Sequence, residues 1–215
     1  MPQIDKRKPL PPHTKLDYYE CYAKIVLEDL FPSAFSELLL KDKPDLQDMQ
    51  NQVGIEVAIA ETRETMETQR LYSTLPDADD ITKLRIIERI EQCGAIYAEG
   101  ILFGPNGSDD FTLINHAIGE KVKKLRKSKY EIFNEYQLFV FSSIMASDDM
   151  LRDELNYLKQ REVNNYFKRI YINVPEEVWC FDLIANTYES FSIDTDRQSG
   201  WAKRARKMVE DGERV

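Results

Sequence analysis

Apolar positions along this chain recur with a helical period in some stretches and a strand period in others. From Asp17, Tyr19, Tyr22, Ala23, Val26, Leu27 and Leu30 fall at helical spacing until Pro32, which predicts an amphipathic first helix. Residues 35–40 form a further turn or the approach to a strand. Residues 43–47 and 53–60 then read as a hairpin joined by the polar loop DMQNQ. Two helices follow, over 61–72 and 80–93. The second has Asp79 or Asp80 as its N-cap, Ile81, Leu84, Ile87 and Ile90 as its stripe, and Gly94 at its end. Residues 95–103 are short and strand-like, and Pro105, Asn106 and Gly107 make a turn. Asp110 starts a long helix to about residue 130, and the run QLFVFS (137–142) predicts a strand buried on both faces. A charged helix over 148–163 precedes three β-prone segments, 168–173, 177–183 and 188–193.

This order predicts an α/β (α+β) fold, a mixed central β-sheet flanked by helices and extended by C-terminal strands. Residues 1–15 read as a loose N-terminal arm and 16–194 as a single domain. Residues 195–215 read as a polar tail in which Trp201 is the one anchor.

Composition narrows the function. A chain of 215 residues with 42% hydrophobic and 31% charged side chains suits a soluble α/β domain. No apolar run is long enough to span a bilayer and no secretory h-region is visible, so a cytoplasmic location is expected. Cys21, Cys93 and Cys180 are odd in number and include no CxxC pair, and they read as reduced thiols. His13 and His116 are too few for a histidine metal cluster. The absence of GxGxxG, Walker and nucleophile-elbow sequences removes dinucleotide binding, P-loop chemistry and Ser/His/Asp hydrolysis. With a net charge of −9, a nucleic-acid partner needs a local basic patch. The longest is KVKKLRKSK (121–129), containing Lys121, Lys123, Lys124 and Lys127, and a second lies at 203–207.

Two carboxylates stand out. Asp45 follows Pro44 and reads either as a turn aspartate or as the first acid of a site. Glu56 lies inside the strand-like run VGIEVAIA, a place that strands deny to carboxylates without a reason. Alternation puts it on a face with only Gly54 and Ala58, which leaves room beside it, although an exposed edge in water would also accept it. Gln47, two residues after Asp45, points toward the same cleft. Together the two acids make a hard-oxygen pair suited to Mg²⁺ or Mn²⁺.

Pro44-Asp45 followed by Glu56 resembles the PD-(D/E)XK nuclease superfamily, whose members carry Pro-Asp on one strand and Glu-x-Lys on the next. The resemblance spans roughly 17–143 and implies a restriction-endonuclease-like core, Mg²⁺-dependent phosphodiester hydrolysis and metal binding by Asp45 and Glu56. The superfamily lysine orients water and stabilises charge on the phosphate, and its place here holds Ala58. Some members supply it from a neighbouring helix. On the stripe Ile114, Ile118, Leu125 the empty step is Lys121, which either serves the site or snorkels into solvent, with Lys124 one helical step away. The superfamily also often places a glutamate on its first helix. Glu20 and Glu28 are available, both at i, i+4 from Lys24, and Glu20 lies nearer the helix start. Three readings follow: a metal-dependent nuclease, a nuclease-like binding or regulatory protein without activity, and a protein–protein interaction module using its charged helices.

Overall fold

Asp17 begins the first helix as its position predicts. Its carboxylate accepts hydrogen bonds from Tyr19 N at 2.8 Å and Glu20 N at 3.1 Å, and α1 runs over Tyr18–Leu30. The computed structural model describes residues 14–75, 78–98, 101–104, 110–127 and 132–212, in two compact units. The larger unit is Thr14–Ala60 with Asp109–Val215, and the smaller includes Glu61–Ser108. The stretch 16–194, read from sequence as one domain, is thus divided. The predicted arm over 1–13, the turn at 105–107 and the last residues of the Lys-rich run lie outside the described residues.

In the larger unit, β1 (Leu39–Leu40), β2 (Leu46–Asp48) and β3 (Val53–Ile59) pair antiparallel in sequence. The strand β3 pairs parallel with β6 (Glu135–Phe141), which pairs parallel with β7 (Arg169–Val174). Two antiparallel strands, β8 (Glu177–Asp182) and β9 (Thr187–Ser192), complete a seven-stranded mixed sheet. The QLFVFS run forms the middle strand β6, and Leu138, Phe139 and Val140 are fully buried. Helices flank this sheet, so the mixed α/β fold expected from the hydrophobic pattern is the fold observed.

Alternation divides the strand side chains between two layers. Ala58, Leu138, Val140, Ile170 and Ile172 share a core with Ile114 and Ile118 of α4 (Thr112–Lys127) and with Leu151 and Leu155 of α5 (Asp148–Gln160). Phe139, Phe141 and Tyr171 belong to the opposite face. Tyr19 and Tyr22 of α1 meet Phe141 edge-on at 5.1 and 5.6 Å between ring centroids.

Two local expectations are corrected. Lys43 does not extend into a strand: its φ is 59°, and Lys41 N donates to Asp45 O at 3.0 Å, so a closed turn delays β2 to Leu46. The presumed polar tail is α6 (Thr195–Gly212). Trp201, Ala205 and Val209 lie on one stripe of α6 and are buried, and Trp201 Nε1 donates to Asp29 Oδ2 at 2.9 Å. Arg197 Nε donates to the same oxygen at 2.8 Å and ties α6 to α1.

Gly54 allows Pro44 to lie against the sheet. A Cβ there would meet Pro44 Cγ at 2.6 Å, Phe133 Cδ2 at 3.1 Å and Tyr136 Cδ1 at 3.2 Å. Gly54→Ala is expected to destabilise the protein by about 1–3 kcal/mol, the ordinary cost of overpacking. Urea unfolding measures this, and a loss under about 0.5 kcal/mol would show that the Pro44 ring yields.

The smaller unit holds α2 (Arg63–Thr74), α3 (Asp80–Gln92) and the antiparallel pair β4 (Ile96–Ala98) and β5 (Ile101–Phe103). The single strand read over 95–103 is therefore two. Thr62 caps α2 and Asp79 caps α3. Leu71, Leu75, Ile90 and Ala95 form the core. Only part of the predicted α3 stripe is buried, since Ile81 and Leu84 are 68% and 70% exposed. No helix among the described residues is long and apolar enough to cross a membrane.

Candidate functional site

Asp45 and Glu56 meet across the first hairpin. The register Leu46↔Ile55 and Gln47↔Gly54 carries Asp45 to the level of Glu56. Asp45 Oδ2 also accepts a hydrogen bond from Val57 N at 2.7 Å, which fixes the carboxylate against β3. The strand β3 is internal, between β2 and β6, and the Glu56 side chain is 1% exposed. Glu56 is therefore not a solvated edge residue.

Lys121 joins them from α4. Burial of Ile114 and Ile118 turns this face of the helix toward the sheet, and the next step on the stripe is Lys121. Its side chain is 13% exposed, and Nζ lies 3.1 Å from Asp45 Oδ2 and 2.5 Å from Glu56 Oε2. The amine turns inward and does not snorkel out. Burial pushes the Lys121 pKa down, but Glu56 and Asp45 together outweigh it and the net shift is upward, so Lys121 is held as a cation.

Glu20, in the first turn of α1, is coupled to the same cluster. Burial, then the Asp45 and Asp17 carboxylates and, more weakly, Glu56 raise its pKa to about 7, against the lowering effect of Lys121. The structure thus brings together Asp45, Glu56 and Lys121 and sets Glu20 within their field. Glu28 serves elsewhere: it pairs with Lys24 and accepts from Leu38 N at 2.8 Å, which anchors the approach to β1.

Gln47 is fully buried on the face shared by Gly54 and Glu56. Its Nε2 donates to Pro44 O at 3.4 Å, and Oε1 has no partner among the described residues. Lys121, grouped by sequence with Lys123, Lys124 and Lys127, separates from them in space. Lys123 pairs with Glu120 at 2.5 Å on the solvent side, and Lys124 and Lys127 are exposed. Arg126, part of the same basic run, packs over the Tyr166 ring at 4.7 Å from its centroid and donates from Nε to the hydroxyl at 2.7 Å.

The donor chemistry fits a hard divalent ion. Asp45 and Glu56 direct oxygens at one cation, and the second oxygen of Glu56, Oε1, is buried without a partner among the described residues. No three His, Cys, Asp or Glu side chains among the described residues group as a ready-made metal cage. An ion here would be held by Asp45 and Glu56 and would keep several waters.

A second buried acid escaped the sequence reading. Glu154 of α5 is 5% exposed and accepts from Asn115 Nδ2 of α4 at 3.1 Å, while Glu154 Oε1 and Asn115 Oδ1 are buried without partners among the described residues. Burial raises its pKa to about 7, with the Asn115 hydrogen bond opposing. The signal was available: Glu154 lies on the stripe Leu151, Leu155, Leu158. Comparison with known proteins adds no assignment, for no protein-family model, curated protein or solved structure matches this chain.

Proposed function

We propose that this protein is a Mg²⁺-dependent phosphodiesterase acting on nucleic acid, of the PD-(D/E)XK type, with its lysine carried by α4 in place of Ala58. The observation that supports this reading is the convergence of Lys121 on Asp45 and Glu56, which lie 76 and 65 residues away in sequence, at one buried point. A purely structural helix-to-sheet contact there would be better served by apolar side chains, since an ion pair taken out of water rarely adds stability.

Asp45 and Glu56 would hold Mg²⁺ or Mn²⁺. Such an ion, when bound, supplies Lewis-acid stabilisation of the phosphoryl group. The Lys121 ammonium stabilises the negative charge that grows on the phosphate as the attacking oxygen arrives. Glu20, poised near neutrality, is suited to hold or release a proton beside the reacting centre. Lys124 and Lys127, on the exposed side of α4, would meet the phosphate backbone, with Lys123 adding charge after it leaves Glu120.

The test is incubation of the full chain with single- and double-stranded DNA and RNA, with Mg²⁺ or Mn²⁺ or with a chelator. Cleavage is expected only with the ion. Binding without cleavage under every condition would favour the second reading, a nuclease-like binding module, for which the Lys121 ammonium seated on both carboxylates is the supporting observation. Under either reading the double variant Lys124→Met/Lys127→Met should bind more weakly and with a log–log salt slope shallower by about 2. An unchanged slope would remove this face of α4 from the nucleic-acid interface.

A further inference from the structure

We infer that the Lys121 ammonium and a divalent ion are alternative occupants of one oxygen set, so that ion binding displaces Lys121 from Asp45 and Glu56. This deepens the metal-dependent reading above and rests on it. What it adds is the order of events within the site.

The ammonium already occupies the position where the two carboxylates converge. Its nitrogen lies 3.1 Å from Asp45 Oδ2 and 2.5 Å from Glu56 Oε2. An ion bound to the same oxygens at about 2.1 Å would lie well inside contact distance of that nitrogen. Two cations cannot share that space, because like charges a few ångströms apart in a buried site repel strongly.

Lys121 is the partner free to move. Asp45 Oδ2 is pinned by Val57 N at 2.7 Å, and Glu56 is fixed on an internal strand. Lys121 is attached through a flexible four-carbon stem, which can swing a charge without moving the helix. The cluster also has charge to spare: the Asp45 and Glu56 carboxylates oppose a single ammonium, and Glu56 Oε1 has no partner among the described residues. One monovalent cation holds the resting site together but leaves it short of positive charge, which a divalent ion would supply. The displaced ammonium is then available to a phosphate only after the ion has arrived.

Calorimetric titration of the full chain with Mn²⁺ tests this without reference to cleavage. Wild type is compared with Lys121→Met, with Lys159→Met as a control for losing an exposed charge on α5, and with Glu56→Gln. Competition predicts that Lys121→Met binds Mn²⁺ about tenfold or more tightly than wild type, a coupling of ordinary size. Lys159→Met should match wild type within about twofold, and Glu56→Gln should bind no ion. Mn²⁺ should also raise the melting temperature of Lys121→Met by more than that of wild type. If Lys121→Met is unfolded without ion, Mn²⁺ should restore its native circular dichroism, and failure to do so overturns the inference. Equal or weaker binding by Lys121→Met overturns the competition while leaving the metal reading intact. No binding by either chain overturns both.

Discussion

Lys121→Met is expected to cost the metal-free fold about 3–5 kcal/mol, because it leaves a buried carboxylate without its counter-ion. Glu56 is 1% exposed and Lys121 Nζ is its one hydrogen-bond partner among the described residues, on Oε2, while Oε1 has none. Methionine keeps the stem on the stripe between Ile118 and Leu125, so packing is nearly conserved and the loss is electrostatic. Urea unfolding at constant pH, without divalent ions, measures it. Glu56→Leu combined with Lys121→Met should recover most of the loss, since removing both buried charges is far cheaper than removing one. A single-variant loss under about 1 kcal/mol would show that water reaches the pair. At a temperature where both chains are folded, Lys121→Met should also lower ion-dependent cleavage by about 10²–10³, the usual effect of removing one group that stabilises transition-state charge.

Stability should fall as pH rises from about 5 to about 7.5, and Glu154→Gln should remove much of that fall. The Glu154 carboxyl titrates at about 7 in the folded protein, against an ordinary value of 4.5. The folded state therefore holds the proton more tightly than the unfolded state. The stability from this group is fully present below about 4.5, declines as pH climbs through the interval, and is lost above about 7. The size is on the order of 3 kcal/mol, from a side chain that is 5% exposed. Glutamine keeps the shape and can both donate to and accept from Asn115, so Glu154→Gln should be close to wild type at pH 4.5 and about 1–3 kcal/mol more stable at pH 8. Glu20 titrates in the same window but is partly exposed, so the comparison is of the two chains' slopes. Parallel stability–pH curves would show that Glu154 is hydrated and ordinary.

Much of the site was legible because it broke local rules. Glu56 interrupts an apolar strand and Lys121 interrupts an apolar helix stripe, and each conflict is relieved by the other across 65 residues. The sequence could not say which way Lys121 turns, since a snorkelling amine satisfies the same pattern. Glu154 broke the same rule on α5 and was hidden by the surrounding charges of that helix. The tail was misread because Trp201, Ala205 and Val209 are spaced four apart among many polar residues, where a stripe of three small and large side chains has little contrast. The division into two units was not legible, because no linker-like composition marks residues 61 or 108. Lys43 was misplaced because the residue before proline is biased toward extended backbone, whereas here the turn closed by Lys41 and Asp45 sets its conformation.

The claim that Asp45, Glu56 and Lys121 form a metal-dependent phosphodiesterase site is tested most directly by cleavage of nucleic acid by wild type, Asp45→Asn and a surface control, Asp149→Asn, each with Mg²⁺ or Mn²⁺. Ion-dependent cleavage is expected from wild type and from Asp149→Asn, with a loss of at least about 10² in Asp45→Asn, whose neutral amide holds a divalent ion far more weakly than a carboxylate. Equal cleavage by all three chains, or none by wild type with either ion, would contradict it.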